Sequence, residues 1–169
     1  IDSEPLTFKQ LTTAEIERIH EIEKNSYPED EAASLDGIKY RLTKAGNYFI
    51  GAKNSKGVLV GFINATRTNT RFVTHTCMSN HMEDGETLAI HSVVVEEKFR
   101  RRGIATQMLK NYIKHMKSKY SENLKQLSLL CHDNLVKLYS NVGFKYIGES
   151  KCQFGSKLWY DMILELQEQ

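Results

Sequence analysis

The sequence is poor in the residues that make disulfides, rigid turns and membrane spans. Among 169 residues there are three cysteines, two prolines and one tryptophan. Cys77, Cys131 and Cys152 are widely spaced and form no CxxC pair, which argues against a disulfide framework and a zinc site. The longest apolar stretch, VLVGFI, is far too short to cross a bilayer, and no secretory leader is visible. We therefore expect a cytoplasmic protein in a reducing compartment, without a membrane partner.

A strong charge of either sign is also missing. The chain has 23 Lys and Arg against 21 Asp and Glu, a formal net charge of +2. This balance does not predict nucleic-acid binding by charge alone, so an electrostatic function must come from local clustering. The length predicts one domain over residues 1–169. A monomer and a weak dimer both stay open.

Hydrophobic periodicity predicts a mixed α/β order. Helices are expected after Thr12 or Thr13, around residues 38–42, after Gly103, and from Asp133 or Asn134 to Gly143. Strands are expected at 6–11, 47–53, 57–66, 87–95, 124–131, 144–148 and 157–166. Residues 67–86 are polar and predict a long, flexible loop. The helical crossover between residues 95 and 124 favours parallel pairing of the strands on either side.

A local cluster of positive charge lies in EEKFRRRGIATQML, residues 96–109. Arg100, Arg101 and Arg102 directly precede Gly103 and a predicted helix. The first turn of a helix has unpaired N–H groups and the positive end of the dipole, so it attracts phosphate. Gly103 permits close approach, as does the small residue at 105, and the hydroxyl at 106 adds a donor. The stretch contains neither GxxxxGK[ST] nor GxGxxG.

The pattern R-x-x-G-x-A after a β-branched strand resembles the coenzyme A pyrophosphate loop of the GCN5-related N-acetyltransferase (GNAT) superfamily. Three stretches, AIHSVVVEEKFRRRGIATQML, LLCHDNLVKLYSNVGF and GSKLWYDM, are similar to blocks of the arylalkylamine N-acetyltransferases. EIEKNSYPEDEAAS is similar to the amine-site segment of non-vertebrate members. The resemblance covers roughly residues 6–166 and leaves out only the loop at 67–86. It implies a mostly antiparallel sheet of about seven strands with one splayed parallel pair, flanked by about four helices.

The resemblance also implies an activity. Acetyl-CoA and the primary amine of a small arylalkylamine would bind together, and the amine would attack the thioester directly, without a metal. Polyamines are the close alternative as substrates, and protein amines come third. The residues implied in holding acetyl-CoA are Val93, Val94, Val95, Arg100, Arg101, Arg102, Gly103, Ile104, Ala105, Thr106, Asn134 and Tyr139.

Two residues are candidates for the base that removes a proton from the amine. His91 lies among apolar residues in the middle of a predicted strand, where an imidazole is unusual; the alternative is a structural histidine with satisfied hydrogen bonds. Vertebrate members of the family have a second histidine two positions earlier, where this chain has Ala89. Glu31 matches a glutamate of the non-vertebrate segment that serves as base or amine anchor; the alternative is a solvated acidic turn with Glu29 and Asp30.

Further roles follow from the same resemblance. Tyr139 would protonate the departing thiolate, although amphipathic packing alone could account for it. The strand backbone at 93–95 would bind the pantetheine amides and hold the thioester oxygen. Trp159 would line the amine pocket under a loop that includes Tyr27 and Pro28, or else serve as a core tryptophan.

Three other functions compete with acetyl transfer. The basic run could bind nucleic acid, but Glu96 and Glu97 immediately precede it. His75, Cys77 and His81, with help from His132, could hold a metal, but their spacing fits no zinc pattern. A non-catalytic acetyl-CoA sensor is the third, and the presence of both His91 and Tyr139 argues against it.

Overall fold

Seven strands form one sheet in the computed structural model of the chain, which describes residues 5–166. The order across the sheet is β1-β2-β3-β4-β5-β7-β6. The strands are β1 (Thr7–Gln10), β2 (Ile50–Lys53), β3 (Leu59–Thr68), β4 (Thr87–Val95), β5 (Gln126–Cys131), β6 (Lys145–Glu149) and β7 (Tyr160–Glu165). Neighbours pair antiparallel except β4 and β5, which are parallel. The predicted sheet, mostly antiparallel with one parallel pair, is confirmed.

The helices are α1 (Ile16–Ser26), α2 (Leu35–Lys44), α3 (Ile104–Lys119) and α4 (Val136–Asn141). Side-chain oxygens cap the starts of the first two helices. Thr12 accepts from the Ala14 N–H in the turn before α1, and Ser34 accepts from the Gly37 N–H in α2. These bonds satisfy N–H groups that have no partner within a helix. Helix α3 is the expected crossover between the two parallel strands.

Apolar side chains cover both faces of the sheet. The larger cluster joins the strands to α3 and α4 and includes Leu88, Ile90, Met108, Tyr112, Leu127 and Tyr139. The smaller cluster joins α1 and α2 to β3 and β4 and includes Ile19, Ile38, Phe62 and Val94. Because β4 contributes Leu88 and Ile90 to the larger cluster and Val94 to the smaller one, apolar side chains pack on both of its faces.

The parallel pair separates halfway along β4. Pairing between β4 and β5 ends at Ile90 and Leu129, although β4 continues to Val95. At the same place the β3–β4 register shifts: Ile90 pairs with Ala65 and Ser92 with Asn64, so His91 is an extra residue in β4. Such a bulge bends a strand and redirects a side chain. A gap therefore opens between the second half of β4 and the end of β5.

The segment after β3 packs on the sheet beside this gap. Val73 and Cys77 are buried against Ala89. The His81 N–H donates to the Tyr40 hydroxyl on α2 (2.8 Å). The strand β3 extends two residues beyond its predicted end, to Thr68. Within residues 5–166, no helix has the length and apolar character needed to cross a membrane.

Candidate active site

A cavity of about 310 Å³ lies where β4 and β5 separate. Its walls come from α1 and the segment that follows it, from α2, from the segment after β3, from β4 and β5, from α4, and from the loop before β7. Six predicted site residues line it: Tyr27, Glu31, His91, Val93, Tyr139 and Trp159. Chain segments that are far apart in sequence thus bring the predicted catalytic and amine-pocket side chains together. Pro28 lies beside the cavity, where its carbonyl accepts from the N–H groups of Glu31 and Ala32 (both 2.9 Å).

The His91 imidazole is held in one tautomer. The Thr66 hydroxyl donates to the Cys77 carbonyl (2.5 Å), so its oxygen accepts from His91 Nε2–H (2.8 Å). His91 Nδ1 then carries the lone pair; it is enclosed and has no hydrogen-bond partner among the described residues. Burial, helped by the nearby charge of Arg41, lowers the pKa of His91 well below its ordinary value. The ring is therefore neutral at physiological pH.

Glu31 is paired with a histidine for which the sequence predicted no catalytic role. Glu31 Oε1 lies 2.9 Å from Nε2 of His132, and the Glu31 side chain is only 3% exposed. Nδ1 of His132 lies 2.9 Å from the carbonyl of Leu158, which can only accept. His132 Nδ1 therefore carries a proton, and Nε2 is the nitrogen that faces the carboxylate. No local pattern indicates this pair, because the two residues are 101 positions apart.

Three aromatic rings form one side of the cavity. Trp159 stacks on His132 with the ring centroids 3.9 Å apart, and on Phe154 with the centroids 4.5 Å apart. The Trp159 indole N–H donates to the Phe154 carbonyl (2.7 Å), which fixes the indole in place. Trp159 lines the cavity and is only 7% exposed, and its contact with an amine stays a prediction. Phe154 was not anticipated, because it lies in a polar stretch with no periodicity.

A second carboxylate, Glu23, lies in the cavity wall and is 2% exposed. It accepts from the Ser92 hydroxyl (2.7 Å) and from the Ala33 N–H (3.2 Å). Burial raises the pKa of Glu23, and these hydrogen bonds partly oppose that shift. Glu23 thereby ties α1 to β4 and to the segment that carries Glu31. A sequence signal existed: Glu23 falls four residues after Ile19, on the apolar stripe of α1.

Tyr139 and Tyr27 bring two phenols to the gap. Burial raises the pKa of both well above the ordinary value for tyrosine, so both hydroxyls hold their protons at neutral pH. The Tyr27 hydroxyl lies 3.5 Å from the carbonyl of Val93. From its position in α4, Tyr139 packs edge-on against Phe144, and this contact fixes the Tyr139 ring. Each phenol can donate a proton or a hydrogen bond into the cavity.

Cys131 also lines the cavity, at the end of β5. Burial raises its pKa to about 11, so the sulfur is a neutral thiol at physiological pH. A neutral thiol is a weak nucleophile. The cavity therefore offers no activated cysteine at this position.

Beyond the bulge, the backbone of β4 presents alternate residues to the gap. The Glu96 N–H donates to Val60 of β3 (2.8 Å), so by the two-residue period of a strand Val94 also faces β3. Val93 and Val95 then direct their N–H and C=O groups toward the side from which β5 has departed. Of the three valines predicted to bind pantetheine, these two have the backbone orientation for it.

The basic turn has an unusual backbone. Arg101 has φ 65° and Gly103 has φ 75°, both in the left-handed region. The Gln107 N–H makes the first helical bond, to Gly103 (3.1 Å), so residues 104–106 have no partner for their N–H groups inside α3. A Cβ at position 103 would meet nothing within 4 Å. Open space therefore adjoins the start of α3, as an incoming phosphate requires.

The remaining cofactor candidates, except Asn134, lie around this turn. Arg100 donates from Nε to the carbonyl of Val95 (2.9 Å) and from Nη2 to the hydroxyl of Ser26 (3.2 Å). Arg101 and Arg102 are exposed, and Arg102 lies over the ring of Phe99 at 5.6 Å. Three others lie in the first turn of α3: Ile104 is buried, whereas Ala105 and Thr106 are half-buried. Asn134 is exposed in the turn before α4 and does not line the cavity.

The residues considered for a metal have separate partners. His75 contacts the carbonyl of Gln153 (3.2 Å), whereas His81 contacts Glu83 (2.7 Å). The Cys77 thiol donates to the carbonyl of Thr74 (3.1 Å). Across residues 5–166, no group of three or more His, Cys, Asp or Glu side chains is placed to hold a metal ion.

Comparison with known proteins identifies the family. The profile of the Acetyltransferase (GNAT) family matches residues 16–144, and the chain belongs to this family of acyltransferases. It is 26% identical to serotonin N-acetyltransferase of Mesocricetus auratus over 163 residues, which cover 95% of this chain and 77% of that protein. The suspected relation to arylalkylamine N-acetyltransferases is thus confirmed as a distant similarity.

Two solved structures share the fold. The GNAT-like decarboxylase GphF in complex with isobutyryl-CoA superimposes with a TM-score of 0.79 at 12% identity, covering 95% of this chain and 100% of that one. A spermidine N-acetyltransferase chimera from Vibrio cholerae and hSSAT gives a TM-score of 0.70 at 16% identity and covers 95% of each chain. At these identities the structural likeness establishes the fold alone.

Proposed function

We propose that this protein transfers the acetyl group of acetyl-CoA to the primary amine of a small arylalkylamine, by direct attack in a ternary complex. The observation that carries the proposal is the cavity between the separated ends of β4 and β5, which combines carboxylates with aromatic rings. One edge of this gap leads to the basic turn before α3. The amine and the cofactor would therefore meet at the splay.

Two features support coenzyme A as the cofactor. The start of α3 combines unpaired helical N–H groups with open space and three arginines, a setting suited to pyrophosphate. The backbone of Val93 and Val95 can pair with the amides of a pantetheine arm as an added strand would. The fold neighbour that carries isobutyryl-CoA makes the same class of ligand reasonable here.

The lining of the cavity supports a cationic aromatic substrate. Glu23, Asp30 and Glu31 contribute carboxylates, and Arg41 is the permanently charged cation in the lining. The carboxylates attract an ammonium group. Phe154 and Trp159 offer apolar surface for an aryl ring.

Polyamines are the second candidate. Three carboxylates along one small cavity suit a molecule with more than one ammonium group. The likeness to a spermidine N-acetyltransferase makes the comparison worth testing. Protein amines are the third class and need a longer groove than the cavity alone provides.

The chemistry needs one base and one acid. An alkylamine is protonated at neutral pH and must lose a proton before it attacks, and Glu31 and His91 are the candidate acceptors. The C–N bond then forms as the C–S bond breaks, and Tyr139 donates its phenolic proton to the departing sulfur. A backbone N–H at 93–95 would stabilise the thioester oxygen as charge develops on it. Because the three cysteines are free thiols, we also propose a reducing, cytoplasmic location.

An acetylation panel tests the function. Purified protein is incubated with acetyl-CoA and tryptamine, serotonin, 2-phenylethylamine, spermidine, putrescine or a peptide with a free N-terminus, and the release of coenzyme A is measured. We expect the highest kcat/KM for an arylalkylamine. A preference for spermidine would transfer the proposal to polyamines. Thermal stabilisation by acetyl-CoA without turnover on any amine would indicate a sensor and overturn the proposal.

A further inference from the structure

The pairing of Glu31 with His132 joins a nearly enclosed carboxylate to a more exposed imidazole. Both residues line the cavity, and their side chains are 3% and 18% exposed respectively. The carboxylate is therefore nearly enclosed, whereas the imidazole reaches water. A proton taken up at Glu31 has a neighbouring acceptor 2.9 Å away and an exit from there.

The geometry also determines which nitrogen of His132 can exchange a proton with Glu31. Because Nδ1 of His132 donates to the carbonyl of Leu158, Nε2 is the only nitrogen that can exchange a proton with Glu31. A proton between Nε2 and the carboxylate oxygen would make their 2.9 Å contact a hydrogen bond. Loss of that proton through His132 would leave a carboxylate beside a neutral imidazole.

Neighbouring residues hold this pair rigidly. Trp159 stacks on the His132 ring at 3.9 Å with an interplanar angle of 30°. On the other side, a Cβ at Gly155 would lie 3.1 Å from Cγ of Glu31, so the backbone there packs directly against the glutamate. Preorganised groups lose little freedom during the reaction, which favours a catalytic arrangement.

His91 lacks such a path. Its Nε2 is bonded to the Thr66 hydroxyl, and its Nδ1 is enclosed without a partner in the described part of the chain. Only Nδ1 could accept a proton, and that proton would stay in a buried setting that already contains Arg41. The two candidate bases therefore differ in their connection to solvent.

We propose that His132 and Glu31 act together as the proton relay for the amine. This inference rests on the proposed function. In its proton-free state the pair binds the substrate ammonium at Glu31, and one proton passes from the nitrogen to the carboxylate and on to His132 Nε2. The neutral amine attacks the thioester, and His132 releases the proton to water. One proton leaves through the pair for each amide formed, while the second amine proton balances the one that the thiolate receives.

Two substitutions of His132 separate proton transfer from positioning. His132→Gln can still donate a hydrogen bond to Glu31 but cannot carry a proton, whereas His132→Asn keeps a donor for the Leu158 carbonyl and loses the group beside Glu31. Each variant is assayed with 2-phenylethylamine and with its 2,2-difluoro analogue, whose amine is much less basic. Thermal unfolding and acetyl-CoA affinity establish that the variants are folded.

We expect both variants to lose about 100-fold in kcat on 2-phenylethylamine and only a few-fold on the fluorinated amine, which is already largely neutral. Adding Glu31→Gln to either variant should cause little further loss in kcat, because the two residues act in series. Equal losses on both amines, or full activity of His132→Gln, would overturn the relay and leave the proposed function intact. Absence of turnover by the unmodified protein on every amine would overturn both.

Discussion

Burial sets the protonation of the side chains around the cavity, in opposite directions for acids and bases. The pKa of His91 falls, whereas those of Tyr139 and Cys131 rise, because each charged form would lose its hydration. All three groups are therefore neutral at physiological pH. In the proposed reaction the substrate carries a positive ammonium group. Because these three groups are neutral, the carboxylates of the cavity are the groups that attract it.

The shift at His91 has a consequence for stability. A histidine whose pKa is lowered on folding binds more protons in the unfolded state, so stability is lost as pH falls below the ordinary value of about 6.5. We expect the free energy of unfolding to fall by up to about 1.4 kcal/mol per pH unit from this group. Urea unfolding at pH 7.5, 6.5 and 5.5 should show a shallower decline for His91→Gln. The exposed His115→Gln is the matched control, and an equal slope in all three proteins would contradict the assignment.

Tyr139 can be tested by removing one oxygen. Tyr139→Phe keeps the ring against Phe144 but removes the proton donor, so we expect kcat to fall about 100-fold with unchanged affinity for acetyl-CoA. Release of coenzyme A and calorimetric binding provide the two measurements. Tyr146→Phe is the control, because Tyr146 is exposed on β6. Unchanged turnover in Tyr139→Phe would show that another group protonates the thiolate.

The sequence predicted residues in the site unevenly. Glu31, His91 and Tyr139 were predicted because each falls in a stretch that resembles the family, and all three line the cavity. The partners His132 and Glu23 were not, since their contacts join positions 101 and 69 residues apart. Pairing over such separations depends on the fold. The local pattern marks Glu23 only as a carboxylate on the apolar stripe of α1 and does not reveal its partners.

At the scale of elements, the start of α3 depends on a glycine conformation. The left-handed φ of Gly103 lets the chain enter the helix with its first N–H groups unpaired and with no side chain in the adjoining space. A residue with a Cβ can occupy this region only with strain. The proposed pyrophosphate site therefore depends on the backbone conformation of this turn.

Gly103→Ala separates strain from binding when it is compared with Gly57→Ala. Both glycines have left-handed φ, 75° and 77°, and a Cβ at either would meet nothing within 4 Å. We expect each substitution to destabilise the fold by about 1–2 kcal/mol in urea unfolding. Only Gly103→Ala should also raise KM for acetyl-CoA, because Gly57 lies in the turn between β2 and β3. An equal KM in both variants would argue against pyrophosphate at this turn.

Most strands and helices were predictable because their patterns are long and regular. The β-branched run at 87–95 predicted β4, and the crossover length predicted its parallel partner. The bulge at His91 was not predictable, since an extra residue in an apolar strand changes no local property of the sequence. The segment at 69–86 was predicted to be a flexible loop, and its packing on the sheet beside the cavity was missed. Only the buried side chains of Val73 and Cys77 indicate this packing.

At the scale of the whole molecule, the parallel strands β4 and β5 separate where the two ligands of the proposed reaction would meet. Ladder bonds join β4 to β5 as far as Ile90 and Leu129, and beyond that point β4 has a strand partner only in β3. A bound pantetheine arm would occupy the side that β5 leaves open. Cofactor binding should therefore extend the pairing of β4 on the side that β5 leaves open.

Hydrogen exchange can detect this added pairing. We expect the amides of Val93 and Val95 to exchange more slowly when coenzyme A is added, because they face the gap. The amide of Val94 should change little, since it faces β3 in both states. Exchange read by NMR resolves the three residues. Equal protection of all three amides would indicate general stiffening, and no protection at Val93 and Val95 would contradict their contact with the cofactor.

The extra residue at His91 also divides β4 into two independent half-strands. Before it, even-numbered Leu88 and Ile90 contribute to the larger core; after it, odd-numbered Val93 and Val95 do so. The phase of alternation is therefore reversed at the bulge, and the two halves of β4 have separate registers with β3. Under the proposed function, we expect substitutions before the bulge to change the choice of amine while the half that would bind coenzyme A keeps its register.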